Sequence, residues 1–141
     1  MLFIFVIVQN VCVMDLQSVI SNLSNFEIFF FIEVYFSVSL WEYVSYQIKT
    51  EKINYTGSYG YLSLLQWLTI LVGLTFVLGY RIGIITFILI LLFLQYLCHF
   101  TLGLVINQLI GKNKNLPFQL FSINICFLIA IVGVFLIING I

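Results

Sequence analysis

One stripe of polar residues has the residue types and the spacing for redox chemistry. Gln95, His99, Gly103 and Asn107 follow one another at steps of four residues, which keeps them on one slowly drifting face of a helix. Histidine is a common axial ligand of haem iron, and it can also donate a hydrogen bond to a quinone. Gly103, one turn after His99, would let a flat ring approach the helix. The stripe is therefore a candidate site for haem b or a quinone.

The same stripe also has a structural interpretation, which we favour. Glutamine, histidine and glycine in membrane helices often bond to or fit against neighbouring helices. His99 is the only histidine in the chain, and a single histidine cannot supply both axial ligands of one haem. We therefore expect the stripe, including Asn107, to serve mainly in helix packing.

Two glutamates lie in one long apolar stretch. Glu33 and Glu42 are nine residues apart, so at about 100° per residue they project from opposite faces of a helix, which argues against a carboxylate pair. We expect Glu42 to lie near the headgroups and to pair with Lys49. Glu33 lies deeper, where it could carry protons or bond to a partner subunit, and a packing role is the favoured interpretation. No catalytic residue is predicted.

Glycines mark both a break and close helix contacts. Gly79, Arg81 and Gly83 interrupt an otherwise continuous apolar run, and glycine permits the chain reversal while an arginine can reach the headgroups. These three residues are predicted to form a turn anchored at the interface. Gly73 and Gly133 are the better candidates for close contact between helices.

The elements that position these residues must be membrane helices. The chain is 63% hydrophobic and 7% charged, with zero net charge and a mean hydropathy of +1.21, whereas soluble domains carry about 25% charged residues. This composition argues against a soluble enzyme and against nucleic-acid binding. Cys12, Cys98 and Cys126 have no CxxC spacing, and no metal site is predicted.

A bilayer requires roughly 20 apolar residues per helix, so we predict an all-α bundle of about four spans in one membrane-embedded domain, residues 1–141. Residues 1–25 form an N-terminal segment and residues 26–141 form the bundle. The apolar residues 1–14 are short for a span, so they either lie at the interface or against a partner, or they form a targeting sequence. The predicted spans are about 26–48, 61–80, 83–110 and 117–139.

The basic residues predict an orientation. With four spans, Lys49, Lys52, Lys112 and Lys114 lie on one side of the membrane, and Arg81 alone lies on the other. Basic loops remain in the cytoplasm or the mitochondrial matrix. The lysine-bearing loops are therefore expected to face that compartment.

A short stretch resembles a known family. Leu65-Gln66-Trp67-Leu68, then Gly73, then Gly79-Tyr80-Arg81, followed at once by a long apolar helix, is similar to the DoxX-like family of small four-helix membrane proteins. Gln66 stands where that family usually has a glutamate. The resemblance extends over about residues 26–135 in topology. It implies a four-helix bundle, and family members include a quinone-linked oxidoreductase subunit.

A second resemblance concerns His99 alone. His99 with Gly103 four residues later is similar to the histidine helix of the haem-bearing membrane anchor of succinate dehydrogenase. That resemblance implies a haem b or quinone site at His99, while the acidic residue usual beyond the histidine is missing here.

Composition also bears on the setting of the protein. Ala130, Pro117 and Arg81 are each the only residue of their type, a shortage that matches an AT-rich genome such as an organellar one. We therefore expect a small accessory subunit of a larger membrane complex, most simply of the respiratory chain in the mitochondrial inner membrane, with other membrane subunits and lipids as its partners. The alternative is a redox anchor, and a third interpretation is transport along Glu33 and the Gln95/His99 stripe.

Overall fold

The computed structural model describes residues 24–50, 58–99, 101, 105 and 116–140. Over these ranges the predicted all-α membrane architecture is confirmed: four helical segments are long and apolar enough to cross a bilayer, and none of the described residues forms a strand. Most of the N-terminal segment 1–25 lies outside these ranges. The elements are α1 (Asn25–Lys49), α2 (Ser58–Leu78), α3 (Tyr80–Leu89), a π-helical turn (Ile90–Leu94), α4 (Gln95–Cys98) and α5 (Leu116–Ile138).

Helix α1 has defined signals at both ends. Ser24 caps its start in a capping box, in which the Ser24 hydroxyl accepts from the Glu27 backbone N–H and the Glu27 carboxylate accepts from the Ser24 N–H. This exchange satisfies two N–H groups that no helical carbonyl can reach. At the other end Lys49 lies in the last turn, where a positive charge complements the helix dipole. The helix matches the predicted span 26–48 to within one residue at each end.

A single residue separates the second and third spans. Gly79 has φ +84° and divides α2 from α3, a conformation that favours glycine. The predicted break is therefore present, but the third span begins at Tyr80 rather than at Gly83. Arg81 is exposed in the first turn of α3. The third span, Tyr80–Cys98, comprises α3, the π turn and α4, and its predicted continuation to residue 110 falls largely outside the described residues.

Gly83 makes a close contact with the backbone of the neighbouring helix. A Cβ at this position would lie 2.7 Å from the Leu74 carbonyl oxygen and 2.7 Å from the Thr75 Cα, so only glycine lets α3 pack directly on the backbone of α2. Gly83 is thus a packing residue inside α3 rather than part of the turn. Gly133, by contrast, would meet no described atom within 4 Å if it carried a Cβ, so the close contact expected there is not found.

The bundle core forms where α1, α2 and α5 meet. Phe30 of α1 lies over Gly73 of α2, where a Cβ would come within 2.7 Å of the ring, and Val132 of α5 lies 3.0 Å from the same point. Close to this contact, Phe26 of α1 stacks on Phe135 of α5 with ring centroids 6.2 Å apart. Gly73 therefore makes the close helix contact expected for it. The buried residues of this core are Phe30, Val34, Val38, Ile70, Leu74, Ile90, Cys98, Leu128, Ile131 and Val132.

The glycine geometry gives a stability prediction. We expect Gly83→Ala to lower the thermal stability of the purified protein, by roughly 1–3 kcal/mol, because the added methyl overlaps backbone that cannot rotate away. Gly133→Ala is the matched control, and it should be neutral or slightly stabilising, since alanine favours the helix. The midpoint of thermal unfolding in mild detergent measures both. Equal effects of the two substitutions would contradict the packing described here.

Candidate functional site

A polar seam joins the middle of α1 to α4 and the residues that follow it. The Cys98 thiol donates to the Tyr35 carbonyl oxygen at 3.8 Å, and the Ser39 hydroxyl donates to the same oxygen at 2.6 Å. The hydroxyls of Tyr35 and Thr101 are hydrogen-bonded to each other. Tyr35 lies ten residues after Asn25, roughly 15 Å into the helix. We call this set, with the residues of the next paragraph, the α1–α4 seam.

Three further residues extend the seam. The ring of Tyr46 lies 5.8 Å from the ring of His99, centroid to centroid. Glu42 belongs to the same face of α1, one turn before Tyr46, and its Oε2 atom is buried without a hydrogen-bond partner. In the described part of the chain, Glu42 forms no ion pair with Lys49, contrary to expectation, because the carboxylate is turned into the bundle. The structure thus brings a carboxyl, a phenol and an imidazole to one seam.

The predicted stripe is only partly within the described residues. Gln95 is half-buried in α4, and His99 is exposed directly after it. Gly103 and Asn107 lie outside the described residues. No group of three histidine, cysteine, aspartate or glutamate residues within the described ranges could hold a metal ion. Since the chain has one histidine, a haem with two histidine ligands at His99 would require the second histidine from another chain.

Glu33 lies apart from the seam. Its Oε1 atom is buried without a hydrogen-bond partner, and the two described basic residues, Lys49 and Arg81, occupy the end of α1 and the start of α3. An unpaired carboxylate in a low-dielectric interior costs several kcal/mol. The described part of the bundle supplies no group that offsets this cost at Glu33 Oε1.

Aromatic and hydroxyl contacts tie α1 to α2. The Trp41 indole N–H donates to the Ser63 hydroxyl at 2.7 Å, and the rings of Trp41 and Trp67 meet edge to face at 5.4 Å. Trp67 in turn contacts Phe87 of α3 at 5.9 Å. These contacts link three spans. Sequence reasoning did not pair these residues, because periodicity does not show which indole faces which helix.

Gln66 is the buried polar residue that site prediction missed. It is 0% exposed, and neither Oε1 nor Nε2 has a hydrogen-bond partner. The sequence analysis considered Gln66 only as the residue that stands where the DoxX-like family usually has a glutamate. The available signal was an amide in the middle of an apolar helix, since polar groups at membrane depth are costly and mark functional or packing sites.

The lateral face of the third span carries an open apolar groove of about 330 Å³. The groove is lined in part by residues of the π turn. Such helix distortions are frequent at functional sites. Its walls are almost entirely hydrocarbon. The lining residues are Thr86, Leu89, Ile90, Phe93, Leu94 and Leu97.

Comparison with known proteins adds no relative. No family model matches the chain, and neither a curated protein nor a solved structure matches it. The function therefore has to be argued from the geometry of the chain itself.

The contact between Trp41 and Ser63 can be tested by a double-mutant cycle. We expect Trp41→Phe and Ser63→Ala each to destabilise the bundle by roughly 1 kcal/mol, the size of hydrogen bonds between membrane helices. The double variant should lose less than the sum, since both substitutions remove one shared bond. Unfolding midpoints in detergent provide the measurement. Strict additivity would show that the two groups are not bonded.

Proposed function

We propose that this chain is a small accessory subunit of a larger membrane protein complex, without catalytic activity of its own. The observation that carries the proposal is a polar edge on the outside of the bundle. Tyr96 is 70% exposed, and His99 and Thr101 are exposed beside it. These residues lie in the last turn of the third span and directly after it, and polar side chains on membrane helices can hydrogen-bond to helices of another chain. A helix of another subunit is the natural cover for this edge.

Two further features support an accessory role. The third span buries only 17% of its most apolar window inside this chain, the smallest share of the four spans. In addition, the side chains of Glu33 and Glu42 are only half-buried by this chain. A subunit that completes its contacts only within an assembly would have both properties.

For the setting, we propose the respiratory chain of the mitochondrial inner membrane. The support is compositional: hydrophobic residues dominate, and alanine, proline and arginine each occur once, as in proteins of AT-rich organellar genomes. The positive-inside rule then directs the lysine-bearing loops to the matrix.

Site-specific photo-crosslinking tests the accessory role. A photoreactive residue at Tyr96 should crosslink to another membrane protein, and the chain should migrate within a much larger particle in mild detergent. The matched control is Phe127 of α5, which is 61% exposed but lies on an apolar helix face, and it should crosslink mainly to lipid. A chain that migrates alone, with no protein crosslink from Tyr96, would refute the proposal.

The second candidate function is a redox anchor, and the contact between Tyr46 and His99 favours it. With Glu42 beside them, these residues offer a phenol, an imidazole and a carboxyl to a haem or quinone. Histidine ligation would fix the haem, and the phenol and carboxyl would be available as hydrogen-bonding groups. A bound quinone and a bound lipid would compete for the apolar groove on the third span.

A visible spectrum separates the two functions. For an accessory subunit, we expect His99→Ala to leave the Soret band of the purified complex unchanged, because His99 would serve in packing. Loss or a shift of that band would establish the redox anchor instead. Cys98→Ser, one residue away, is the matched control for local disturbance of the helix. Measuring quinone content in the same preparations tests the quinone version of the alternative.

A further inference from the structure

The accessory role does not explain the buried side-chain amide of Gln66, which lies inside the bundle. Gln66 is completely buried by its own chain, so no partner subunit can reach it, and both its donor and its acceptor are unpartnered. Leaving such an amide unsatisfied in an apolar interior is strongly unfavourable. A small polar species bound at this level would remove that cost.

Two contacts fix what lies opposite Gln66 on α1. Trp41 bonds to Ser63, and Phe30 packs on Gly73, so α1 and α2 run antiparallel with Gln66 between the two contacts. Both helices rise by the same amount per residue. Gln66 is three residues after Ser63, so it lies level with Ser37 and Val38, three to four residues before Trp41. Ser37 is itself completely buried.

A third helix supplies the next polar group. Val132 of α5 lies beside Gly73 of α2, and because α2 and α5 both run antiparallel to α1, they run in the same direction. Seven residues earlier along both helices are Gln66 and Ile125. The residue before Ile125 is Asn124, whose Oδ1 accepts a hydrogen bond from the Ser37 hydroxyl. Polar groups from α1, α2 and α5 therefore lie at about the same height in the bundle, and those of Ser37 and Asn124 are in contact.

We propose that this level is a binding site for a water molecule, held by Gln66, Ser37 and Asn124. The charge and hydrogen-bonding character of the groups select the ligand. Gln66 offers one unpartnered acceptor and one unpartnered donor group, so a cation would satisfy only Oε1 and an anion only Nε2. Water donates and accepts, and buried waters are held by two to four polar partners. This inference does not depend on the proposed accessory role.

Water-edited solid-state NMR tests the site directly. The full chain, in its native assembly in bilayers and labelled with ¹⁵N-glutamine, should show magnetisation transfer from water to the side-chain NH₂ of Gln66. The Gln66 signal is assigned by its loss in Gln66→Leu. The exposed Gln119 of α5 is the positive control. Transfer to Gln119 without transfer to Gln66 would overturn the proposal.

A thermal double-mutant cycle provides a second readout. Gln66→Leu and Asn124→Leu should each lower the unfolding midpoint, and the double variant should lose less than the sum because the two residues share one water. Gln119→Leu should cause little change. A raised midpoint in Gln66→Leu, or strict additivity in the double variant, would show that Gln66 and Asn124 share no bound water.

Discussion

The structure depends on one constraint, which is that the hydrocarbon core offers no hydrogen-bond partners. Every polar group in a span must be satisfied by the protein or by water held within it. Helical backbone meets this requirement for the main chain, and several small hydroxyl side chains meet it by bonding to a carbonyl of their own helix. Examples of such bonds are Ser39 to Tyr35, Thr69 to Leu65, Thr75 to Val72 and Ser122 to Phe118. Each of these bonds satisfies a hydroxyl group within one helix and does not by itself join two helices.

The polar groups that cannot be satisfied locally determine how the helices pair. Trp41 bonds to Ser63 and Ser37 bonds to Asn124, so α1 is held in register with both α2 and α5. After these pairings a short set of orphan atoms remains, on Glu33, Glu42 and Gln66. All of these atoms are buried within the chain, but Gln66 is completely buried as a residue, whereas the two glutamate side chains are half-buried.

Sequence reasoning predicted what is local and missed what depends on pairing. Hydropathy and span length predicted four helices, and the glycine at position 79 predicted the break, because both signals lie within a few consecutive residues. Sequence reasoning assigned Gly83 to the turn and Gly133 to a close helix contact. Glycine spacing does not show which helix face meets a neighbour. Glu42 was assigned to Lys49 for the same reason, as a shared face on one helix does not exclude burial against a second helix.

The π turn Ile90–Leu94 explains why the face around His99 was especially hard to predict. Such a turn adds about one residue to the helix, so the segment after it is rotated by roughly 100° relative to an uninterrupted α-helix. This rotation accompanies the inward position of Cys98, which contacts Tyr35, and the outward positions of Tyr96 and His99. A regular 3.6-residue pattern carried through from Tyr80 would orient these side chains differently. The polar edge is therefore a consequence of a helix irregularity, and it lies next to the groove that the same irregularity borders.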